Sequence, residues 1–418
     1  MKNIYQTRRE NFMNSDSCPF LTILYSGKAP IRSADESYYF SVDRNFYYMT
    51  GIDLEDVVLV MVHESDSKIY SSLYLNLRDE QTAKWIGGSP SPDELTNISG
   101  IEHIYSINLW KSHMHRYLSS QTSRPSIGLN LWRCRPDDEP TIAHRLSSWI
   151  RSMYPETDIQ NIFPYLAKAR LIKSEDELEK MKIAQDTTKN ALEELYSYVR
   201  PEMNECEIEG IFDFALRKQG VKETAFPSIV AGGIRATTLH YSENNHFVHD
   251  NELVLLDLGS THQHYCADIS RTFPINGKFT ERQKQLYNIV LEAQQRVIEA
   301  AVPGITLLEL NDIVIEYYKT ALKEIGLLEN GKSVKDYYYH GVSHPLGLDT
   351  HDISLPELET LVPGMVITVE PGLYVEEEGI GIRIEDDILI TTDSAINLSS
   401  NIIKNPEDIE LLMSKCPN

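Results

Sequence analysis

The run Leu253-Val-Leu-Leu-Asp257-Leu-Gly259 ends an apolar strand on a carboxylate, and that conflict constrains the chain more than any other segment. Burying a lone carboxylate is costly, so Asp257 needs a partner. Asp268 follows inside Ala267-Asp-Ile-Ser-Arg-Thr-Phe273. A hairpin turning at His262–Gln263 would set Asp257 and Asp268 opposite each other on one face. Two facing carboxylates repel, the more so as they are buried, and a cation between them removes the conflict. Taken alone, the pair reads equally well as one exposed aspartate and one turn aspartate.

The pattern recurs. Val366-Ile-Thr-Val-Glu370-Pro-Gly372 is again an apolar strand ending in an acid, with a turn expected next. Gly381 to Ile390 reads as its partner strand, with Arg383 and Glu385 on one face and Ile382 and Ile384 on the other. Two hairpins with a carboxylate on every strand supply four oxygen ligands. The segment His340-Gly-Val-Ser-His344-Pro-Leu-Gly-Leu-Asp-Thr-His351 adds three of the chain's 13 histidines. Pro345 and Gly347 argue for a loop here, and imidazole is both a common metal ligand and a proton carrier near neutral pH. Four carboxylates and one imidazole suit two divalent ions: Mn2+ fits best on ligand type, and Zn2+, Co2+ and Fe2+ are compatible. Two such ions balance the four carboxylates and leave room for a bridging hydroxide, a ready nucleophile.

The chain carries a net charge of −23, which argues against nucleic acid and against an anionic membrane surface. Cys18, Cys134, Cys206, Cys266 and Cys416 are scattered and form no CxxC pair, as expected of a reducing compartment. The N-terminal segment has no apolar stretch of the signal-peptide kind. No run reaches the roughly 20 apolar residues of a membrane helix. The expected location is the cytoplasm.

A length of 418 residues allows two domains. Phe20–Tyr25, Val57–Val62, Leu73–Leu77 and Ser126–Asn130 read as strands. They alternate with helical spacing at His113–Ser120 and Ile142–Met153, which predicts an α/β domain over 1–168. The pattern changes near Phe163–Ile172. Ser174 and Glu177 form a capping box that opens a helix running to about Arg200, where Pro201 stops it. Further helices fit Glu205–Gln219, Glu281–Ala301 and Leu307–Ile325. With antiparallel strands from Leu253 onward, 169–418 is expected to be α+β. Trp85 is expected in a polar loop, Lys84-Trp-Ile-Gly-Gly-Ser, where a core role is hard to see. An exposed Trp is a frequent interface anchor, so the chain is expected to form a homodimer or homotetramer.

The motifs LLDLG, ADISRTF, HGVSHPLGLDTHD, VITVEPGLY and GIRIEDDILIT resemble the proline-specific metallopeptidases of the pita-bread fold, aminopeptidase P (Xaa-Pro aminopeptidase) and prolidase. The resemblance spans nearly the whole chain. It implies a smaller α/β domain followed by a pita-bread catalytic domain. By position it implies Asp257 as ligand of one ion, Asp268 and Glu385 as bridging ligands, and His344 and Glu370 as ligands of the other. Glu370 then also shuttles a proton. His240, in Thr238-Leu-His-Tyr241, lies near the scissile bond, and His351 contacts the substrate carbonyl. His340 and Arg383 support or line the substrate pocket, Tyr374 walls the proline site, and Trp85 approaches a neighbouring subunit's active site. Asp43 to Gly51 is similar to a strand-and-turn of the smaller domain. Some aminopeptidases P carry, where Asn45 stands here, an aspartate that pairs with the pocket arginine; Asp43 is a candidate substitute. The implied reaction removes the residue preceding a second-position proline. Gly341-Val-Ser-His344 resembles aminopeptidase P more than prolidase, the nearest alternative. Methionine aminopeptidase lacks the large N-terminal domain, and creatinase lacks the metals. A non-catalytic binding module on the same fold is the alternative from another class; such homologues lose ligands, whereas this chain keeps all five.

Overall fold

A computed structural model describes residues 3–15, 18–63, 68–120 and 125–415; Cys416 lies outside them. The chain divides into two units, Met1–Arg170 and Leu171–Asn418.

The first unit is built on a six-stranded mixed sheet. Its strands are β1 (Leu21–Tyr25), β2 (Val58–His63), β3 (Ile69–Leu75), β4 (His103–Ser106), β5 (Ser126–Leu129) and β6 (Asp158–Asn161), in the order β4-β3-β2-β1-β5-β6. The central strands are apolar on both faces because both are covered. On one face Leu21, Ile23, Val58 and Val60 pack with Met114, Leu118 and Ile150 from the helices Trp110–Ser119 and Ile142–Met153. The outermost strands β4 and β6 read His-Ile-Tyr-Ser and Asp-Ile-Gln-Asn. They carry no apolar run, which is why the sequence does not announce them.

Two expectations for this unit need correcting. Asp43–Gly51 is not a strand and turn but a short helix, Arg44–Thr50. The Asp43 carboxylate caps the amides of Asn45 and Phe46, and Gly51 closes the other end at φ 68°. Caps at both ends outweigh the β-preference of the aromatic run between them. Trp85 is likewise not in a loop. It lies on the helix Glu80–Ile86, capped by Asp79, and remains 84% exposed.

In the second unit four helices, α1 (Glu175–Tyr196), α2 (Glu205–Lys218), α3 (Glu281–Ala300) and α4 (Leu307–Glu324), all open on capping boxes: Ser174/Glu177, Asn204/Glu207, Thr280/Gln283 and Thr306/Glu309. Along α1 the buried residues Met181, Ala184, Thr188, Ala191, Leu192 and Leu195 recur at three- and four-residue steps, so one stripe faces the sheets. The strands of three or more residues are β7 (Ile229–Gly232), β8 (Leu253–Leu258), β9 (Ile269–Pro274), β10 (Val366–Val369), β11 (Gly372–Val375), β12 (Ile380–Arg383), β13 (Asp386–Ile390) and β14 (Ala395–Asn397). They pair antiparallel as β7-β8-β9, β10-β13-β14 and β11-β12. The sheets are stitched where Glu385 donates its amide to Ser270 O (3.1 Å) and Arg383 its amide to Thr272 Oγ1 (3.2 Å). Those bonds bring the two acid-bearing hairpins together. Among the described residues no helix is long and apolar enough to cross a membrane.

Candidate metal centre

The first hairpin has a different register from the expected one. Its turn lies at Gln263–His264, both at positive φ (49° and 67°), rather than at His262–Gln263. Two such residues make the tight turn that matches strand twist. Asp257 therefore faces Ser270, and Asp268 becomes its diagonal neighbour on the same face. A diagonal pair remains within reach across a sheet. Gly259, beside Asp268, is needed because a Cβ there would lie 1.8 Å from Ala267 O.

The second hairpin runs from β10 to β13 with an interruption. The expected turn directly after Glu370 is absent: the chain resumes as β11, and the reversal comes at Glu376–Gly379. Pro371 cannot donate to the ladder, so the pairing breaks there. The pairs Val369–Asp386 and Gly372–Arg383 flank the break, leaving Glu370 and Glu385 at facing positions inside it. Ile382 and Ile384 point into the core, as the alternation requires, while Arg383 and Glu385 line a cavity of about 640 Å3.

His344 comes from the loop before β10, tied to that strand by Thr368 N to His344 O (2.9 Å). Its Nδ1 lies 3.0 Å from Pro345 O, which assigns the proton there and turns Nε2 toward the carboxylates. Nε2 is 3.5 Å from Asp268 Oδ2 and 3.5 Å from Glu370 Oε1. Ligand atoms of Asp268, His344 and Glu385 all lie within 4.8 Å of one another. Asp257 stands slightly apart: its Oδ2 accepts from Arg383 Nη2 at 2.7 Å, while its buried Oδ1 has no hydrogen-bond partner among the described residues.

The electrostatics record crowding. Burial, then the charge of Asp257, pushes the Asp268 carboxyl up to about 6 even against its bond to His344. Burial pushes Glu370 to about 7. Burial and the neighbouring carboxylates hold Glu385 well above the usual carboxylate range. Burial opposes charge on His344, but Asp268 and Glu370 outweigh it and raise the imidazole to about 9. A proton on His344 thus serves where divalent cations would serve better. The orphaned Asp257 Oδ1, the donor triangle and the mixed oxygen and nitrogen set all fit divalent ions.

The remaining expected residues separate into wall and support. His240, His340, His351 and Arg383 line the cavity, together with an apolar side of Phe226, Pro227, Ile229 and Leu239. His351 stands edge-on to His344 at 4.4 Å between ring centroids, and burial keeps it below the usual histidine range. Burial and the Arg383 charge hold His340 down at about 4. Tyr374 does not wall the cavity: its ring is 1% exposed, and its hydroxyl lies behind, bonded to His340 Nε2 (2.8 Å) and Arg383 Nη1 (3.2 Å). Strand alternation puts Tyr374 on the Arg383 face, since Tyr374–Gly381 and Gly372–Arg383 are pairs of one ladder, and its ring is covered there by Ile229, Ala236, Leu239 and Leu255. Arg383 also donates Nε to Ser270 Oγ (2.8 Å), and that hydroxyl donates to Glu385 Oε2 (2.7 Å). The partner of Arg383 inside this unit is thus Asp257. Asn45 accepts from Arg170 (2.8 Å), and Asp43 serves as a helix cap. Trp85 belongs to the first unit.

Sequence reasoning missed the layer behind the carboxylates. Arg271, fully buried, donates to Glu385 O (2.6 Å), Ser270 O (2.9 Å), Ile402 O (3.1 Å), Ile403 O (2.8 Å) and Asp386 Oδ1 (2.7 Å). Lys404 reaches Asp386 Oδ2 at 2.6 Å. Burial alone would raise the Asp386 carboxyl, but Arg271 and Lys404 hold it below the usual range. Asp387 Oδ2 accepts from Gln185 (2.9 Å) and from the Asp268 amide (3.3 Å). One signal was available: three consecutive acids, Glu385-Asp-Asp387, cannot share one face of a strand.

Residues 179–392 match the model of metallopeptidase family M24, and residues 5–125 match the N-terminal domain of aminopeptidase P. The Xaa-Pro aminopeptidase of Escherichia coli (strain K12) is 30% identical over 98% of this chain and 97% of its own length. A Bacillus anthracis structure assigned as an aminopeptidase P is 39% identical, with a TM-score of 0.95 over 99% of each chain. A zinc-substituted E. coli aminopeptidase P in complex with product gives 29% identity and a TM-score of 0.89 over 99% of this chain and 98% of that one. Identity spread over both units, with the acid-bearing hairpins inside the matched region, makes the conclusion direct: the chain belongs to metallopeptidase family M24 and, within it, to the pita-bread Xaa-Pro aminopeptidases.

Proposed function

We propose that the chain hydrolyses the amide between an N-terminal residue and a second-position proline, using two divalent ions held by Asp257, Asp268, His344, Glu370 and Glu385. The observation that carries the reading is the triangle of Asp268, His344 and Glu385 donor atoms within 4.8 Å, open to a 640 Å3 cavity. The ions, Mn2+ on ligand type, supply Lewis acidity and lower the pKa of water. Glu370 accepts a proton from the attacking water and passes one to the proline nitrogen. Its placement 3.5 Å from the His344 imidazole keeps it inside the ligand cluster while it faces the cavity. His351 and His240 offer ring N–H groups to the carbonyl oxygen as its charge develops. Asp257 Oδ1 draws the free amine of the substrate toward the ions. His340 and Arg383, steadied by Tyr374, shape the proline side.

A dipeptidase must also hold the proline carboxylate with a cation. Arg383 is the permanent cation among the described residues of the cavity wall, and three of its five N–H groups already serve Ser270, Tyr374 and Asp257. That favours a substrate continuing beyond proline. Rates on Ala-Pro, Ala-Pro-Ala and Ala-Ala-Ala test the reading. Cleavage of Ala-Pro-Ala without Ala-Ala-Ala supports it; cleavage of Ala-Pro alone makes the chain a prolidase. Trp85 (84% exposed) with Ile86 (63% exposed) supports assembly into a homodimer or homotetramer.

A further inference from the structure

We propose that Glu205, which lies outside the cavity wall, is the positioning residue for His240. The inference rests on the role just given to His240. That imidazole faces the cavity and, among the described residues, takes part in no hydrogen bond. Nothing polar holds the ring, so its place is set by the backbone beneath it.

That backbone is closed onto one carboxylate. Glu205 opens α2 and is fully buried. Its Oε1 accepts from the Gly232 amide (2.9 Å) and Arg235 Nε (2.6 Å). Its Oε2 accepts from the Tyr241 hydroxyl (2.8 Å) and the His246 amide (3.0 Å). Its own amide donates to His246 O at 2.8 Å. The bonds fall at the end of β7, in the turn Gly233–Thr237, on the residue after His240, and where the segment ends. Leu239 and His240 are carried between these ties. Asn244 adds a separate tie, accepting from the Val230 amide (3.1 Å) and donating to Ser228 O (2.8 Å), but it holds the far side of the loop. A carboxylate is required at position 205 because four donors converge and it alone offers four acceptor sites. An amide would set an N–H2 against one of the donor pairs.

The test is a double-mutant cycle on the metal-loaded protein, read as kcat/KM for Ala-Pro-Ala with metal content measured in each variant. Glu205→Gln should lower kcat/KM by roughly ten-fold or more, because small misplacements of a group at the reacting bond cost up to about a hundred-fold. Metal content should stay at the wild-type value. Once His240 is alanine, Glu205→Gln should cost no more than about two-fold further, since residues acting through one another are not additive. Should Glu205→Gln fail to fold, Tyr241→Phe removes one of the four bonds together with the hydroxyl's contact to His246 Nδ1 (2.9 Å), preserves the packing, and is expected to show the same coupling at smaller amplitude. Losses that multiply in the double variants overturn the inference, as does full activity of Glu205→Gln. If His240→Ala itself loses nothing, the role assigned to His240 fails and takes the inference with it, a result distinct from multiplicative losses.

Discussion

Replacing Arg271 with methionine keeps an unbranched apolar stem and removes five hydrogen bonds from behind the ligand cluster. Arg271 and Asp386 are both 0% exposed, so no water replaces the lost partner. Breaking a buried ion pair by removing one member costs about 3–5 kcal/mol. Each buried carbonyl left unpaired adds about 1–3 kcal/mol. Ser270 O keeps the Glu385 amide, and Asp386 keeps Lys404, whose side chain is 24% exposed. Glu385 O, Ile402 O and Ile403 O each lose a donor, so the net loss is expected at or above the pair value, at least about 3–5 kcal/mol. That is a large part of the ~5–15 kcal/mol that holds a typical protein folded. Thermal and urea unfolding of the metal-free protein measure it. Arg271→Met/Asp386→Leu should recover part of the loss, because no carboxylate is then buried without its arginine. Arg271 also fixes Glu385 O, so metal affinity should fall as well. A single variant within about 1 kcal/mol of the parent, or a double variant less stable than the single, refutes the reasoning.

Other perturbations follow from the same geometry. Ser270→Ala removes the hydroxyl that joins Arg383 to Glu385, and metal affinity should fall about 10–100-fold, as for other partners of metal ligands; unchanged affinity by calorimetric titration would contradict it. In the metal-free protein Asp268 is raised to about 6 and Glu370 to about 7, so their contributions to stability are present below the unfolded carboxyl values and lost as pH rises through the folded ones. Metal binding near pH 6 must then release protons, and titration heats should differ between buffers of different ionisation enthalpy; equal heats count against it. Trp85→Ala should shift the assembly toward smaller species by light scattering, and an unchanged mass removes Trp85 from the interface.

The site was more legible than the register that builds it. Asp257, Glu370 and Glu385 stand out because each interrupts an apolar strand, and His344 because it lies in a loop crowded with histidines. The two-residue register shift was hidden because Gln263 and His264 carry none of the Gly or Asn marks of a tight turn. The helix Arg44–Thr50 was expected as a strand and turn from the family resemblance, while the caps that decide it, Asp43 and Gly51, are single residues. The helices opening at Ser174, Asn204, Thr280 and Thr306 begin where their capping boxes indicate. Arg271, Asp386 and Lys404 were beyond reach for another reason. They lie far apart along the chain and meet only after folding, and strand alternation says which face a residue takes but not what it meets there.

The most direct measurement of the central claim is metal content and Ala-Pro-Ala hydrolysis in one preparation, before and after exhaustive chelation and after Mn2+ is returned. The account predicts two ions per chain, loss of turnover on stripping and recovery on reloading, with His344→Ala losing one ion and nearly all turnover. Full turnover in the stripped protein, or a metal-loaded protein that leaves Ala-Pro-Ala intact, would contradict it.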